Sequence, residues 1–167
     1  MTGASDPAAT DEPPTSTGTS WASSAGVRRN MQANRPRDTA PELAIRRACH
    51  SRGLRYRIHT RPVSSLRRQA DMTFRKARVA VFIDGCYWHG CPIHFVEPKA
   101  NASFWKDKIE KNRQRDAETN SELEKHGWIV LRFWEHEDPE LCAGTIEQVV
   151  RQVTAVTKRC SDAAPDH

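Results

Sequence analysis

The sequence predicts an α/β fold, a mixed β-sheet flanked by helices, on three observations. Strand-like apolar runs alternate with helical patterns in the order α-β-β-β-α-β-α. One run, Val79-Ala80-Val81-Phe82-Ile83, is apolar throughout, as a strand covered on both faces must be. Helix starts are marked by capping chemistry at Thr39 and at Asp138-Pro139.

Thr39-Ala40-Pro41-Glu42 is a capping box with Pro in the first turn, so a helix follows it. Leu43, Ile45, Ala48 and Cys49 face inward, and Gly53 ends the helix. Leu54 to Ile58 alternates like a short strand, and Arg61 to Arg68 is a basic loop. Ala70 to Phe74 and Val79 to Ile83 are two strands joined by the polar link Arg75-Lys76-Ala77-Arg78. Asn101 caps a long helix through about Lys125, which ends near Gly127. Trp128 to Phe133 is a further strand. The last helix turns Leu141, Ile146, Val149, Val150 and Val153 inward. Residues 1–25 are Ala, Ser, Thr, Gly and Pro with few apolar side chains, which predicts a disordered tail. Residues 157–167 read as a flexible C-terminal tail, leaving one domain over 26–156. There is no internal repeat.

The 167 residues suit one domain with a real core. No apolar run approaches the roughly 18 residues of a membrane span, and no signal-peptide pattern opens the chain. Of the five cysteines, Cys49, Cys86, Cys91, Cys142 and Cys160, two cluster with His. An odd count arranged so predicts metal ligation in a reducing cytoplasm, not a disulfide framework. Charge is unevenly spread: residues 1–25 carry −3, residues 26–78 carry +12 and residues 79–167 carry −4. All the cations of the middle segment are Arg except Lys76. Arg is the better fork for phosphate oxygens, so the segment predicts a polyanion partner rather than a merely solvated face.

The stretch from Asp84 to His94 holds most of the chemistry. Asp71 begins one strand of the hairpin and Asp84 ends the next, which sets two acids near one sheet end. Such a pair suits Mg²⁺ on a phosphodiester, and the alternative is an Asp71 that only pairs with a neighbouring Arg. Cys86, Cys91 and His94 are spaced as three ligands of a zinc ion, which needs a fourth. The candidates are His89, His136, Cys142 and His126, and His89 is poorly placed between two ligands. His136 reaches the loop if the strand ending at Phe133 lies beside Val79–Ile83. His89 is then available to take a proton from an attacking water, or is an ordinary surface imidazole. Glu42 has a local role as the capping-box acid, and a functional one only if the helix start faces the hairpin. Tyr87 and Trp88 are consecutive rings held between ligands, so at least one is expected exposed, where it could wedge between base pairs. Met31, beside Arg28, Arg29 and Asn30, is a second possible wedge or an unremarkable tail residue.

These residues resemble those of the very short patch repair (Vsr) DNA mismatch endonuclease family. The resemblance rests on Arg29-Asn30-Met31, Arg37-Asp38-Thr39 with Glu42, Ala70-Asp71-Met72-Thr73-Phe74, and the run from Val81 to His89. It continues through Phe104-Trp105, Lys108-Ile109, Asn112, Gly127-Trp128 and Trp134-Glu135, covering roughly residues 27–155. It implies a restriction-endonuclease-like α/β fold and a Mg²⁺-dependent nick beside the T of a T:G mismatch, such as deamination of 5-methylcytosine leaves. Matched onto this chain, Asp71 and the Ile83 carbonyl would hold Mg²⁺. His89 would be the base or water-positioning group, with Glu42 in support. Cys86, Cys91, His94 and His136 would form a structural zinc site. Tyr87, Trp88 and Met31 would match the intercalating residues; separately, the Arg-rich charge of the middle segment predicts phosphate contacts from Arg28, Arg29, Arg67 and Arg68. The implied partner is mismatched double-stranded DNA, met by a monomer at the nucleoid and paired in function with a cytosine-5 DNA methyltransferase. The chain departs from the family's pattern where Ile83-Asp84 stands in place of Thr-His. That leaves Asp84 as an acid-base or metal carboxylate. It also departs where Cys91 and His94 replace a His and a Cys two apart. Two other readings remain: a restriction-type nuclease on unmismatched DNA, and a zinc-stabilised, non-catalytic DNA-binding module.

Overall fold

The computed structural model describes residues 37–99 and 101–162, all within one compact unit, Asn34–His167. The elements run α1 (Ala40–Ser51), β1 (Arg57–Thr60), β2 (Ala70–Phe74), β3 (Val79–Asp84), α2 (Ala102–Lys125), β4 (Ile129–Trp134) and α3 (Pro139–Asp162). The expected element order is therefore present. The four strands form one mixed sheet in the order β1-β2-β3-β4. β1, β2 and β3 pair antiparallel, whereas β4 lies parallel to β3. A parallel neighbour needs a long crossover, and α2 supplies it.

The sheet is covered on both faces. On one, Ile45, Ala48 and Cys49 of α1 and Cys142, Ala143 and Ile146 of α3 pack on Met72, Phe74, Val79, Val81 and Phe133. On the other, Leu123 of α2 packs with Ala70, Ala80, Phe82 and Trp128. β3 sits between both layers, so its first four residues are all buried, as its unbroken apolar pattern predicts. Each fully buried Val, Ile or Met here contributes about 1.5–3 kcal/mol of transfer free energy.

Several boundaries differ from the sequence reading, whereas Asn101 is the N-cap of α2 as expected. β1 begins at Arg57 rather than Leu54, because Leu54 turns into the core beneath α1. α3 runs past residue 156, where a flexible tail is expected, through Asp162. Asn101 precedes α2 in a left-handed conformation (φ 57°), and its carbonyl accepts from the Trp105 N–H. The expected tail over 1–25, Met31, Arg28 and Arg29 lie outside the described residues.

Candidate active site and metal centre

The site gathers at the C-terminal end of β3. The β2–β3 ladder closes at Met72↔Val81. Beyond it the Ile83 N–H donates to the carboxylate Oδ2 of Asp71 at 2.8 Å, so a side chain replaces a main-chain acceptor. Strand alternation breaks there: Ala70 packs with Ala80 and Phe82 on the α2 face, whereas Met72, two residues on, packs on the α1 face, and Asp71 lies on the α1 side near Glu42 and Arg46. Its charged neighbours are Glu42, Arg46 and His59. Burial pushes the Asp71 carboxyl up to about 6, against the pull of the Ile83 N–H.

Asp84 faces α2 instead. Asp71 and Asp84 lie at one end of the hairpin, but their partners belong to opposite faces of the sheet. Both Asp84 oxygens are taken by Arg132, at 2.7 Å to Nε and 2.7 Å to Nη2. Arg132 also reaches Asp116 Oδ1 at 2.9 Å and Asn120 Oδ1 at 3.1 Å, and its guanidinium lies 5.0 Å from the Phe82 ring centre. Asp116 in turn meets His89 Nδ1 at 2.5 Å, and Asp84 lies 3.8 Å from the same nitrogen. Burial alone would raise the Asp116 carboxyl, but His89 and Arg132 outweigh it and hold it below the usual range. Asp116 and Arg132 are absent from the sequence reading. The available signal was an Arg within a strand, registered beside Phe82 on a covered face, where a charge demands partners.

Glu42 is more than a cap. Its carboxylate accepts from the Asp38 N–H and the Thr39 hydroxyl, each at 3.0 Å, and pairs with buried Arg46 at 2.8 Å. Arg46 also holds Asp38 at 2.5 Å, and His59 Nε2 lies 3.1 Å from Asp38. Asp38 and His59 both adopt left-handed backbone, at φ 55° and 48°, a strain that persists only where surroundings fix it. Glu42 is also among the groups whose charge acts on Asp71, so the helix start lies near the β2–β3 hairpin.

The Cys86–His94 loop is built around four donors. Cys86 Sγ lies 3.0 Å from His136 Nδ1 and 3.9 Å from His94 Nδ1, and Cys91 Sγ lies 3.8 and 3.9 Å from the same atoms. All four ligand atoms fall within 4.8 Å of one another and could hold a metal ion. Donors around a tetrahedral zinc ion sit roughly 3.5–3.8 Å apart; three of the four sulfur–nitrogen separations come close to that and the Cys86–His136 pair is tighter, so the set suits one ion with a small shift of His136. Burial pushes the Cys86 thiol up to about 11, so it would ligate as thiolate only through the cation's own charge. His136 is the fourth member because β4 lies beside β3. Cys142 is buried in the core, and His126 caps α2 through the Glu122 carbonyl. Glu135 accepts the Cys86 N–H at 2.7 Å and fixes the loop's base. Gly90 turns at φ 63°, and a Cβ there would meet Arg113 at 2.7 Å and Ile109 at 2.8 Å.

Tyr87 and Trp88 are both half-buried, in a cluster with Phe95, Phe104 and Trp105. Lys108 Nζ stands 5.4 Å from the Trp88 ring centre. Phe104, at 42% exposure, is the ring most open to solvent in this cluster. Arg67 and Arg68 are exposed on the β1–β2 loop, just before Asp71. No described helix is long and apolar enough to cross a membrane.

Residues 23–94 match the family described as DNA mismatch endonuclease Vsr. The chain is 46% identical over 116 residues to the type II nicking enzyme V.NaeI of Lentzea aerocolonigenes, covering 68% of this chain and 70% of that one. It is 40% identical over 133 residues to the type II nicking enzyme V.NmeDIP of Neisseria meningitidis serogroup C, covering 77% and 88%. It is 35% identical over 108 residues to the DNA mismatch endonuclease Vsr of Escherichia coli K12, covering 64% and 67%.

Proposed function

The chain belongs to the Vsr family of DNA endonucleases, a hydrolase family, and from that premise we propose that it nicks one strand of duplex DNA at T:G mismatches with Mg²⁺. The observation that carries the reading is Asp71 seated on the Ile83 peptide while His89 neighbours the next residue, Asp84. A metal carboxylate and an imidazole base thereby share one end of β3, on the restriction-endonuclease-like sheet that the family implies. Asp71 and the Ile83 carbonyl would hold Mg²⁺, which supplies charge stabilisation to the phosphodiester and acidity to a water. Asp116 holds His89 Nδ1, so the other ring nitrogen, Nε2, accepts the proton as water attacks phosphorus and the leaving oxygen departs. Glu42 supports Asp71 from the α1 side. Cys86, Cys91, His94 and His136 hold a structural zinc that stiffens the loop carrying His89.

Tyr87 and Trp88, with Met31 from the preceding arm, act as the wedge, since a mismatch lowers the cost of opening a base step. Arg28, Arg29, Arg67 and Arg68 grip phosphates without regard to sequence. The T:G substrate ties the protein in function to a cytosine-5 DNA methyltransferase. The half-burial of both rings favours a second reading, a nick in fully paired DNA that needs no wedge.

Single-turnover cleavage of a labelled duplex holding one T:G pair, beside its fully paired counterpart, decides between them. Nicking beside the T, only with Mg²⁺ and only in the mismatched duplex, is expected. Asp71→Asn should keep fold and zinc content yet lower the rate roughly a hundredfold or more, because it loses the ligand charge. Equal cleavage of both duplexes would establish the paired-DNA reading. Failure to cut either would leave a non-catalytic DNA-binding module.

A further inference from the structure

Asp84 is the acid that the sequence leaves between two roles, a metal ligand or an acid-base group. Its geometry suits neither. Both oxygens are engaged by one guanidinium, at 2.7 Å each, and the residue is 9% exposed. Arg132 is the centre of the arrangement: it joins Asp84 of β3, Asp116 and Asn120 of α2, and the face of Phe82. Three elements thus meet on one planar fork, which no ammonium could match. The groups His89 Nδ1 faces on the neighbouring elements are Asp116 and Asp84, and both are anchored to this fork.

We propose that Arg132 is a positioning residue: its guanidinium ties Asp84 and Asp116 into one frame that holds His89 as the Nδ1–H tautomer and leaves Nε2 as the proton acceptor. A carboxylate fixed against a ring N–H sets the tautomer of the imidazole. A carboxylate free to rotate sets it less well, because the neutral ring can then donate from either nitrogen. In this frame Asp84 is neither ligand nor acid. It occupies Nε and Nη2 of the guanidinium and so fixes the fork's orientation toward Asp116, and the three groups together place one net negative charge beside His89.

The inference rests on the nuclease reading only for its rate measurement. Long-range ¹H–¹⁵N spectra of the zinc-loaded, full-length protein at mildly alkaline pH, with His89 assigned by its absence in His89→Gln, read the tautomer directly. The unmodified protein should show His89 as Nδ1–H alone. Arg132→Leu should lose that single-tautomer signature and lower kcat for nicking roughly 10–100-fold. KM for DNA should stay within about threefold, because the Arg132 nitrogens are already engaged by Asp84, Asp116 and Asn120. Arg132→Lys keeps the charge and the stem over Phe82, and so protects the fold. It should lose the signature as well, because one ammonium cannot serve three partners. A single Nδ1–H tautomer retained in either variant overturns the proposal, as does a fall in kcat with the tautomer unchanged. If the unmodified protein nicks no duplex, the functional reading fails while the tautomer comparison still decides the frame.

Discussion

Two arginines organise this molecule on opposite faces of the sheet, and they do so with similar partners. Arg46 joins Asp38, Glu42 and His59 on the α1 side, and Arg132 joins Asp84 and Asp116, which hold His89, on the α2 side. The difference lies in how each is assembled. Three of the first cluster's residues lie within nine positions at one helix start, Glu42 and Arg46 one turn apart. The second draws on β3, the loop after it, the middle of α2 and β4. The local cluster can form as α1 forms, whereas the dispersed one exists only once the sheet and its crossover are complete. The first is thus suited to support and the second to coupling a side chain to the finished fold. Asp71, between them, accepts a hydrogen bond from the Ile83 backbone N–H, and among the described residues no arginine forms an ion pair with it.

Removing the two arginines separately is the strongest way to break the parallel. Glu42 and Arg46 are each only 7% exposed at the side chain, so Arg46→Met leaves a buried carboxylate unpaired. A cost of about 3–5 kcal/mol is expected, read from chemical denaturation. Asp84 and Asp116 retain more contact with water, at 12% and 24% exposure, so Arg132→Met should cost less, about 1–3 kcal/mol. Equal losses would show that both clusters serve stability alike.

Asp71 sharpens the contrast through pH. Its carboxyl is raised from 3.8 to about 6 because the water lost on burial outweighs the Ile83 N–H and the pull of Arg46 and His59. The folded chain therefore binds this proton more tightly than the unfolded one. The contribution to stability is full below about pH 4 and is lost as pH rises through about 6, a change on the order of 3 kcal/mol. Denaturation in Mg²⁺-free buffer across that window should show the decline, and Asp71→Asn should flatten it. Asp38 behaves oppositely, since hydrogen bonds from Arg46 and His59 hold its carboxyl below the usual range. An Asp71→Asn protein with the slope intact would place the titrating group elsewhere.

The smallest expected effect concerns the local cluster's own start. Thr39 accepts the Glu42 N–H at 3.5 Å and donates to its carboxylate. Thr39→Ala should cost about 1 kcal/mol, with nicking altered only through Glu42. A loss of activity far beyond that of stability would show that the cap also sets the Glu42 carboxylate.

What was legible in the sequence follows the same division. The capping box, the apolar run of β3, and Cys86, Cys91 and His94 could be read because each is a pattern within a few neighbouring residues. His136 became accessible once β4 was set beside β3. Asp116 could not be separated from Asp107 or Glu110 on a helix charged along much of its length. Only the parallel β3–β4 pairing with α2 laid over it gives Asp116 a partner. That Asp71 and Asp84 share a sheet end is legible in the sequence; that their partners lie on opposite faces is not, because hairpin register assumes unbroken alternation, and the ladder yields to a side chain at Asp71.

The parallel pairing of β3 with β4 also sets an order in time. Residues 85–128 must be gathered before Val79 meets Ile129, so closing that loop is slower than forming the short-turned β2–β3 hairpin. Three of the four soft donors belong to the loop, and the fourth stands two residues beyond β4. A cation can therefore gain its full coordination only after the slowest pairing is made, and must shed a ligand before that strand can leave. With a metal ion held there, its release and detachment of the β4 strand would become one kinetic event, and the ion would act as a latch on the last edge to close.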